Sequence, residues 1–214
     1  MAVLFTVCLI ASNLFATKVI SLWGLNLPGA VLIFPVSYIL NDCICEVWGF
    51  RKSRLVIWTA FAMNVFVVIM GQLLVWIPAA SFWDGAEHFD YMFNMAPRVA
   101  GASLLAFLVG SNINALVMSR RKIVDEGRRF GVRAILSSLA GEFADSLIFM
   151  PIAFWGTPWR ILLGMMLVQV SFKVIYEIIV LPVTAAVVKK TKEAEGVDTF
   201  DVGISYNPFK LGDI

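Results

Sequence analysis

The sequence predicts an all-α integral membrane protein of six transmembrane helices with both termini cytoplasmic. Three observations carry this. The 214 residues are 60% hydrophobic and only 15% charged, and the mean hydropathy is +0.84, too little polar surface for a soluble domain of this length. Several runs of about 20 apolar residues can each cross a hydrocarbon core roughly 30 Å thick. Lysine and arginine, finally, collect in alternate loops.

The first run, 2–22, starts at Met1 without a basic leader or a small-residue cleavage site and carries Asn13, Thr17 and Lys18. It reads as a retained helix rather than a signal peptide. Pro28 and Gly29 separate it from the second run, 29–48, and a third follows at 55–77, ended by Pro78. After Pro97 comes 98–118, then 132–154, and beyond Gly156-Thr157-Pro158 a last run, 160–188, longer than a crossing needs. Pro182 is expected to kink that helix or free its cytoplasmic end. The domain reading is one six-helix unit over 1–190 and a cytoplasmic tail over 191–214. Within 78–97, "WDGAEHFDYMF" suggests a short interfacial helix holding His88 as a solvated side chain.

Orientation follows from charge. Arg51, Lys52 and Arg54 follow the second run, Arg120, Arg121, Lys122, Arg128 and Arg129 the fourth, and Lys189, Lys190 and Lys192 the sixth. The 78–97 segment instead carries Asp84, Glu87 and Asp90. All basic loops share one side only if both ends are cytoplasmic. Trp23, Trp76, Trp83, Trp155 and Trp159 fall near run ends, where an aromatic belt is the default. Cys8, Cys43 and Cys45 lie in apolar runs and read as small core residues, with no metal or cofactor expected. A formal charge of +2 does not point to nucleic acid.

The informative residues are the polar ones inside the spans. A charged side chain at the bilayer centre costs about 2.5–3.5 kcal/mol, so several must face inward toward each other, water or a ligand. Tyr38, Asp42 and Glu46 recur at four-residue intervals and form one stripe. Ser138, Glu142, Asp145 and Phe149 form a second, and Gln169, Lys173 and Glu177 a third. Lys173 lies 13 residues past Arg160, about 20 Å into the membrane. The carboxylates outnumber the cations, since only Lys173 is clearly intramembrane, with Lys18 and Arg98 reaching in from the outer side. Such an excess awaits a proton, a metal cation or a substrate. Among Asn13, Asn64, Gln72, Asn112 and Asn114, each of them interhelical glue or site, Asn114 in "GSNIN" is the best site candidate.

The blocks "SNLFATK" (12–18), "FPVSYILNDCICEVWGFRKSR" (34–54), "PRVAGASLLAFLVG" (97–110), "GEFADSLIFMPIAFWG" (141–156), "KVIYEIIVLPVTAAVVKK" (173–190) and "DTFDVGISYNPF" (198–209) span the chain in order. They resemble the queuosine precursor transporter family, also described as the vitamin uptake transporter family of bacterial inner-membrane proteins. The resemblance implies import of 7-cyano-7-deazaguanine and 7-aminomethyl-7-deazaguanine. It also implies a six-helix architecture similar to the substrate-binding components of vitamin uptake systems.

Such a base presents a ring N–H beside an exocyclic amine, which one carboxylate can accept together, and a carbonyl that Lys173 or an Asn amide can meet. On this reading Glu142 and Asp145 take the base edge. Asp42, Glu46, Lys173 and Glu177 complete the site or carry a coupling proton, with Tyr38 and Asn114 beside them. Alternatives are another small heterocycle or vitamin, a scaffold, or an intramembrane carboxylate enzyme, although no span holds a histidine to activate a nucleophile. No Walker motif is present, so ATP use would require a partner protein. A homodimer is compatible with so small a transporter.

Overall fold

The computed structural model describes residues 1–22, 25–94 and 97–210, for 19, 22, 25–28 and 97–100 by backbone alone. Trp23 and the side chain of Arg98 lie outside the described residues.

The first element is shorter than the sequence suggests. Helix α1 spans Ala2–Phe15, 14 residues or about 21 Å, where a helix over 2–22 was expected. Beyond Phe15 the Thr17 hydroxyl donates back to the Leu14 carbonyl at 2.7 Å. The β-branched stretch that follows pairs as a hairpin of β1 (Val19–Leu22) and β2 (Leu25–Pro28), with Val19 opposite Pro28. The hairpin takes up what was read as the outer third of a helix.

After a 3₁₀ turn at Gly29–Leu32, α2 runs Phe34–Trp76 as two arms broken at Gly49, which has φ 82° and ψ 175°. The arms fold back on one another. Ser53 donates to the Asn41 side chain at 2.6 Å, although twelve residues of straight helix would span roughly 18 Å. The expected basic loop here is therefore a reversal at one glycine, with Arg51, Lys52 and Arg54 already helical. Only glycine adopts this backbone readily. A Cβ at Gly49 would also meet Asp201 Oδ1 at 2.6 Å and Thr199 Cγ2 at 2.9 Å. Gly49→Ala is expected to destabilise the protein by about 1–3 kcal/mol, read as a fall in melting temperature of the detergent-solubilised chain. An unchanged melting temperature would show that the turn is not under this constraint.

The remaining elements are α3 (Ala86–Phe93), α4 (Pro97–Val124), α5 (Phe130–Ala153) and α6 (Trp159–Glu195). The short helix expected within 78–97 is α3, and His88 on it is exposed. α6 runs on through Pro182 to a Gly196 cap in the left-handed conformation, so its cytoplasmic end is not freed at the proline. Among the described residues four helices, α2 and α4 to α6, are long and apolar enough to cross a membrane. α2 sits centrally, packed on α1, α4, α5 and α6, and α4 pairs along α5.

Polarity is inverted relative to a soluble domain. Leu4, Phe66, Leu74, Leu147, Leu167 and Ile179 are exposed, while Asp42, Glu46, Arg133, Glu142 and Lys173 are buried. Lipid covers the outside, and the bundle interior must satisfy its own charges. Cys8, Cys43 and Cys45 are buried thiols in that interior. Trp76, Trp83, Trp155 and Trp159 are exposed near helix ends.

The residues after α6 do not trail away. Asp201 accepts from the Phe50 amide at 2.7 Å and the Ser119 hydroxyl at 2.5 Å, and the Thr199 amide donates to Val47 at 3.1 Å. Trp58 donates to the Pro208 carbonyl at 2.7 Å. Tyr206 stacks on Phe50 at 5.1 Å and receives Arg120 over its ring at 4.9 Å. The three basic segments thus meet at one end of the bundle, clasped by the C-terminal strap.

Candidate functional site

The stripe on the first arm of α2 orders the interior into three layers, because Tyr38, Asp42 and Glu46 are each one turn, about 6 Å, apart. The layer farthest from Gly49 holds Glu142, Asp145 and Lys173. The Lys173 ammonium pairs with Glu142, lies 3.7 Å from Asp145 Oδ2, and sits 4.2 Å from the centre of the Phe34 ring. All three charged groups are buried. Two carboxylates on one cation leave the cluster net negative. Tyr38 reaches the same region because α4 and α5 cross at glycines: a Cβ at Gly141 would fall 2.8 Å from both the Gly110 carbonyl and Tyr38 Cε1.

In the middle layer Asn114 donates to Asp42 Oδ1 at 2.9 Å. The Ser137 hydroxyl lies 3.0 Å from that oxygen, and Ser138 lies 3.4 Å from Oδ2. Asn41 donates to Asn114 Oδ1 at 2.6 Å, which fixes how that amide faces. Glu177 is also here, buried, and its Oε1 has no hydrogen-bond partner among the described residues.

The layer nearest Gly49 is an ion cluster. Arg133 donates to both oxygens of Glu46 at 2.9 Å, and Lys192 donates to Oε1 at 2.6 Å. Lys122 lies 3.7 Å from the same oxygen and also pairs with Asp198, which Lys192 reaches at 2.8 Å. Partial burial works against the Asp198 carboxylate, but Lys122 and Lys192 hold its pKa below the usual range. A lowered folded-state value means Asp198 contributes stability above its unfolded pKa, near 3.9, and loses it as pH falls through the folded one. Melting temperature should therefore fall more steeply for wild type than for Asp198→Asn as pH drops from 5 toward 3. Parallel curves would overturn this.

The candidate residues thus separate. Glu142, Asp145 and Lys173 come together with Tyr38; Asp42, Asn114 and Glu177 lie one turn away; Glu46 belongs to the inner ion cluster. Arg133, Lys122 and Arg54 are buried as well, so the interior holds cations beyond Lys173 toward its Gly49 end. Arg133 had a legible signal, since 133, 137, 141 and 145 share a four-residue spacing with the carboxylate stripe. Asn13, Asn64 and Gln72 instead line a largely aliphatic cavity of about 360 Å³ between α1, α2, α3 and α4.

A lipid-facing apolar shell around a buried column of ionisable groups is the construction of a membrane transport protein. The sequence comparisons agree: the chain belongs to the family described as "Putative vitamin uptake transporter", whose model matches residues 28–187. A probable queuosine precursor transporter of Bacillus subtilis (strain 168) is 28% identical over 153 residues, 71% of this chain and 65% of the relative. The queuosine precursor transporter of Escherichia coli (strain K12) is 24% identical over 173 residues, 79% of this chain and 76% of the relative. A probable queuosine precursor transporter of Haemophilus influenzae is 25% identical over 136 residues, 63% of this chain and 52% of the relative. The alignment thus spans just under two thirds of the Bacillus relative's length. No solved structure matches the chain.

Proposed function

We propose that this protein imports 7-deazaguanine precursors of queuosine, 7-cyano-7-deazaguanine and 7-aminomethyl-7-deazaguanine, across the bacterial inner membrane. The observation that carries the reading is the buried trio of Glu142, Asp145 and Lys173 beside the Phe34 ring. A deazaguanine edge offers two adjacent N–H donors and one carbonyl acceptor. One carboxylate takes the donors in a fork, and the ammonium takes the carbonyl. Before binding, these groups satisfy each other, so the base would replace the Lys173–Glu142 contact rather than enter an uncompensated site. The second carboxylate meets the aminomethyl cation, and an aromatic face stacks on the ring for about 1–3 kcal/mol.

The chain crosses the membrane six times on this reading, with each arm of α2 counted separately and α1 completed by the hairpin. The basic segments that meet at the Gly49 end set that end, and both termini, in the cytoplasm. The test is queuosine in tRNA, by mass spectrometry, in a host lacking its own precursor synthesis and importer. Cells expressing the chain and fed nanomolar deazaguanine should contain queuosine. None, despite verified insertion, would refute the substrate.

A further inference from the structure

Two buried carboxylates in the middle layer are not used by the base-binding trio. Asp42 comes from α2 and Glu177 from α6, helices that pack on one another, and each lies one turn on the Gly49 side of the residue that its own helix gives to the trio's layer, Tyr38 or Lys173. The Ser138 hydroxyl of α5 lies 3.4 Å from Asp42 Oδ2 and also acts on the Glu177 carboxyl. Among the described residues neither carboxylate takes part in an ion pair. The cations on either side are committed: Lys173, one turn away on α6, to Glu142 and Asp145, and Arg133 of α5 to Glu46. The other groups in contact with Asp42 are Asn114 of α4 and Ser137 of α5, neither of them a cation.

The two acids are not equivalent. Asp42 receives the Asn114 amide and has two serine hydroxyls within reach, the surroundings of an ionised carboxylate. Glu177 is 4% exposed, and its Oε1 has no partner among the described residues. An ionised glutamate would leave that oxygen charged and unsolvated beside a second negative charge. A protonated glutamic acid removes the conflict and supplies a donor.

We propose that Asp42 and Glu177 form a proton-binding site, distinct from the base-binding trio, with the proton held on Glu177 and relayed through Ser138 to Asp42. In the relay Glu177 gives its proton to the Ser138 oxygen while Ser138 gives its own to Asp42. One O–H bond breaks at Glu177, one forms at Asp42, and Ser138 is unchanged. Both acids lie one turn on the Gly49 side of the trio along their own helices, and the proton they share couples import to a proton gradient; this coupling rests on the transport reading above.

Infrared spectroscopy of the full-length protein at neutral pH, without substrate, tests the site. Wild type should show the carbonyl stretch of a buried protonated carboxyl, missing from Glu177→Gln. In case that variant folds poorly, carboxyl-¹³C labelling of glutamate in wild type should shift the band, since an aspartic acid would not respond. No band, or a band insensitive to glutamate labelling, overturns the proposal.

In proteoliposomes, an acidic exterior should speed initial 7-aminomethyl-7-deazaguanine uptake several-fold in wild type, and Glu177→Gln should lose that response. Equal wild-type rates with and without the gradient overturn the coupling. If deazaguanine neither binds nor accumulates, the substrate reading fails, and the infrared band alone decides the proton site.

Discussion

Glu142→Gln and Asp145→Asn are each expected to cut deazaguanine-dependent queuosine formation at least about a hundredfold while the protein stays in the membrane. The amides keep the size of the carboxylates but cannot accept two hydrogen bonds at full charge. Losing that fork costs about 3 kcal/mol, or roughly two decades of affinity. The fold survives because Lys173 lies within ion-pair distance of both carboxylates, so either amide leaves it one charged partner.

Lys173→Met should behave differently. It strands two buried carboxylates, and breaking a buried pair costs about 3–5 kcal/mol, a large part of the roughly 5–15 kcal/mol that holds a typical protein. Membrane-inserted yield should fall along with uptake. Adding Glu142→Gln to Lys173→Met should restore yield without restoring uptake, separating the structural role of the lysine from its role toward the base. Uptake at wild-type levels by both single amides would sink the assignment of the trio.

Glu46→Gln is the second large effect, and here the loss is of stability. Glu46 faces Arg133 and Lys192 through hydrogen bonds and Lys122 at 3.7 Å. Its neutralisation leaves Lys122 and Lys192 with Asp198 and Arg133 with no carboxylate partner among the described residues. A cost of about 3–5 kcal/mol corresponds to a drop on the order of 10 °C in melting temperature for a chain of this size. Adding Arg133→Met, which removes the most buried cation, should recover much of it, a coupling that a double-mutant cycle measures directly. Additive losses would show that the two residues do not act as a pair.

Much of this was legible in the chain before folding. Apolar runs set the membrane class, and spacings of four and three residues put Tyr38 with Asp42 and Glu142 with Asp145 on inward faces, since unpaired charge is costly in lipid. The same logic failed at the edges of the spans. Lys122 and Arg54 carry positive charge in segments that a charge rule reads as loop, and Arg133, just inside the fifth run, was passed over. Residues 198–208 close over the first two, Asp198 and Thr199 meeting Lys122 and Asn207 meeting Arg54, while Arg133 turns inward to Glu46. α1 was read too long because Val19 to Leu22 are as apolar as a helix, and hydropathy does not separate a short strand from a helical turn.

The sequence by itself determined that this is a multi-pass membrane protein, that the polar stripes on its second, fifth and sixth runs face the interior, and that acids outnumber bases among them. Those follow from composition and period, which are local properties of the chain. Which acid pairs with which base was decided only in three dimensions. Lys173 binds Glu142 on α5 rather than Glu177 one turn away on its own helix, and Glu46 turns to Arg133 and Lys192. The reason is physical: in a low dielectric a charge takes the partner the packed helices bring within hydrogen-bond distance, and helix packing joins residues far apart in sequence.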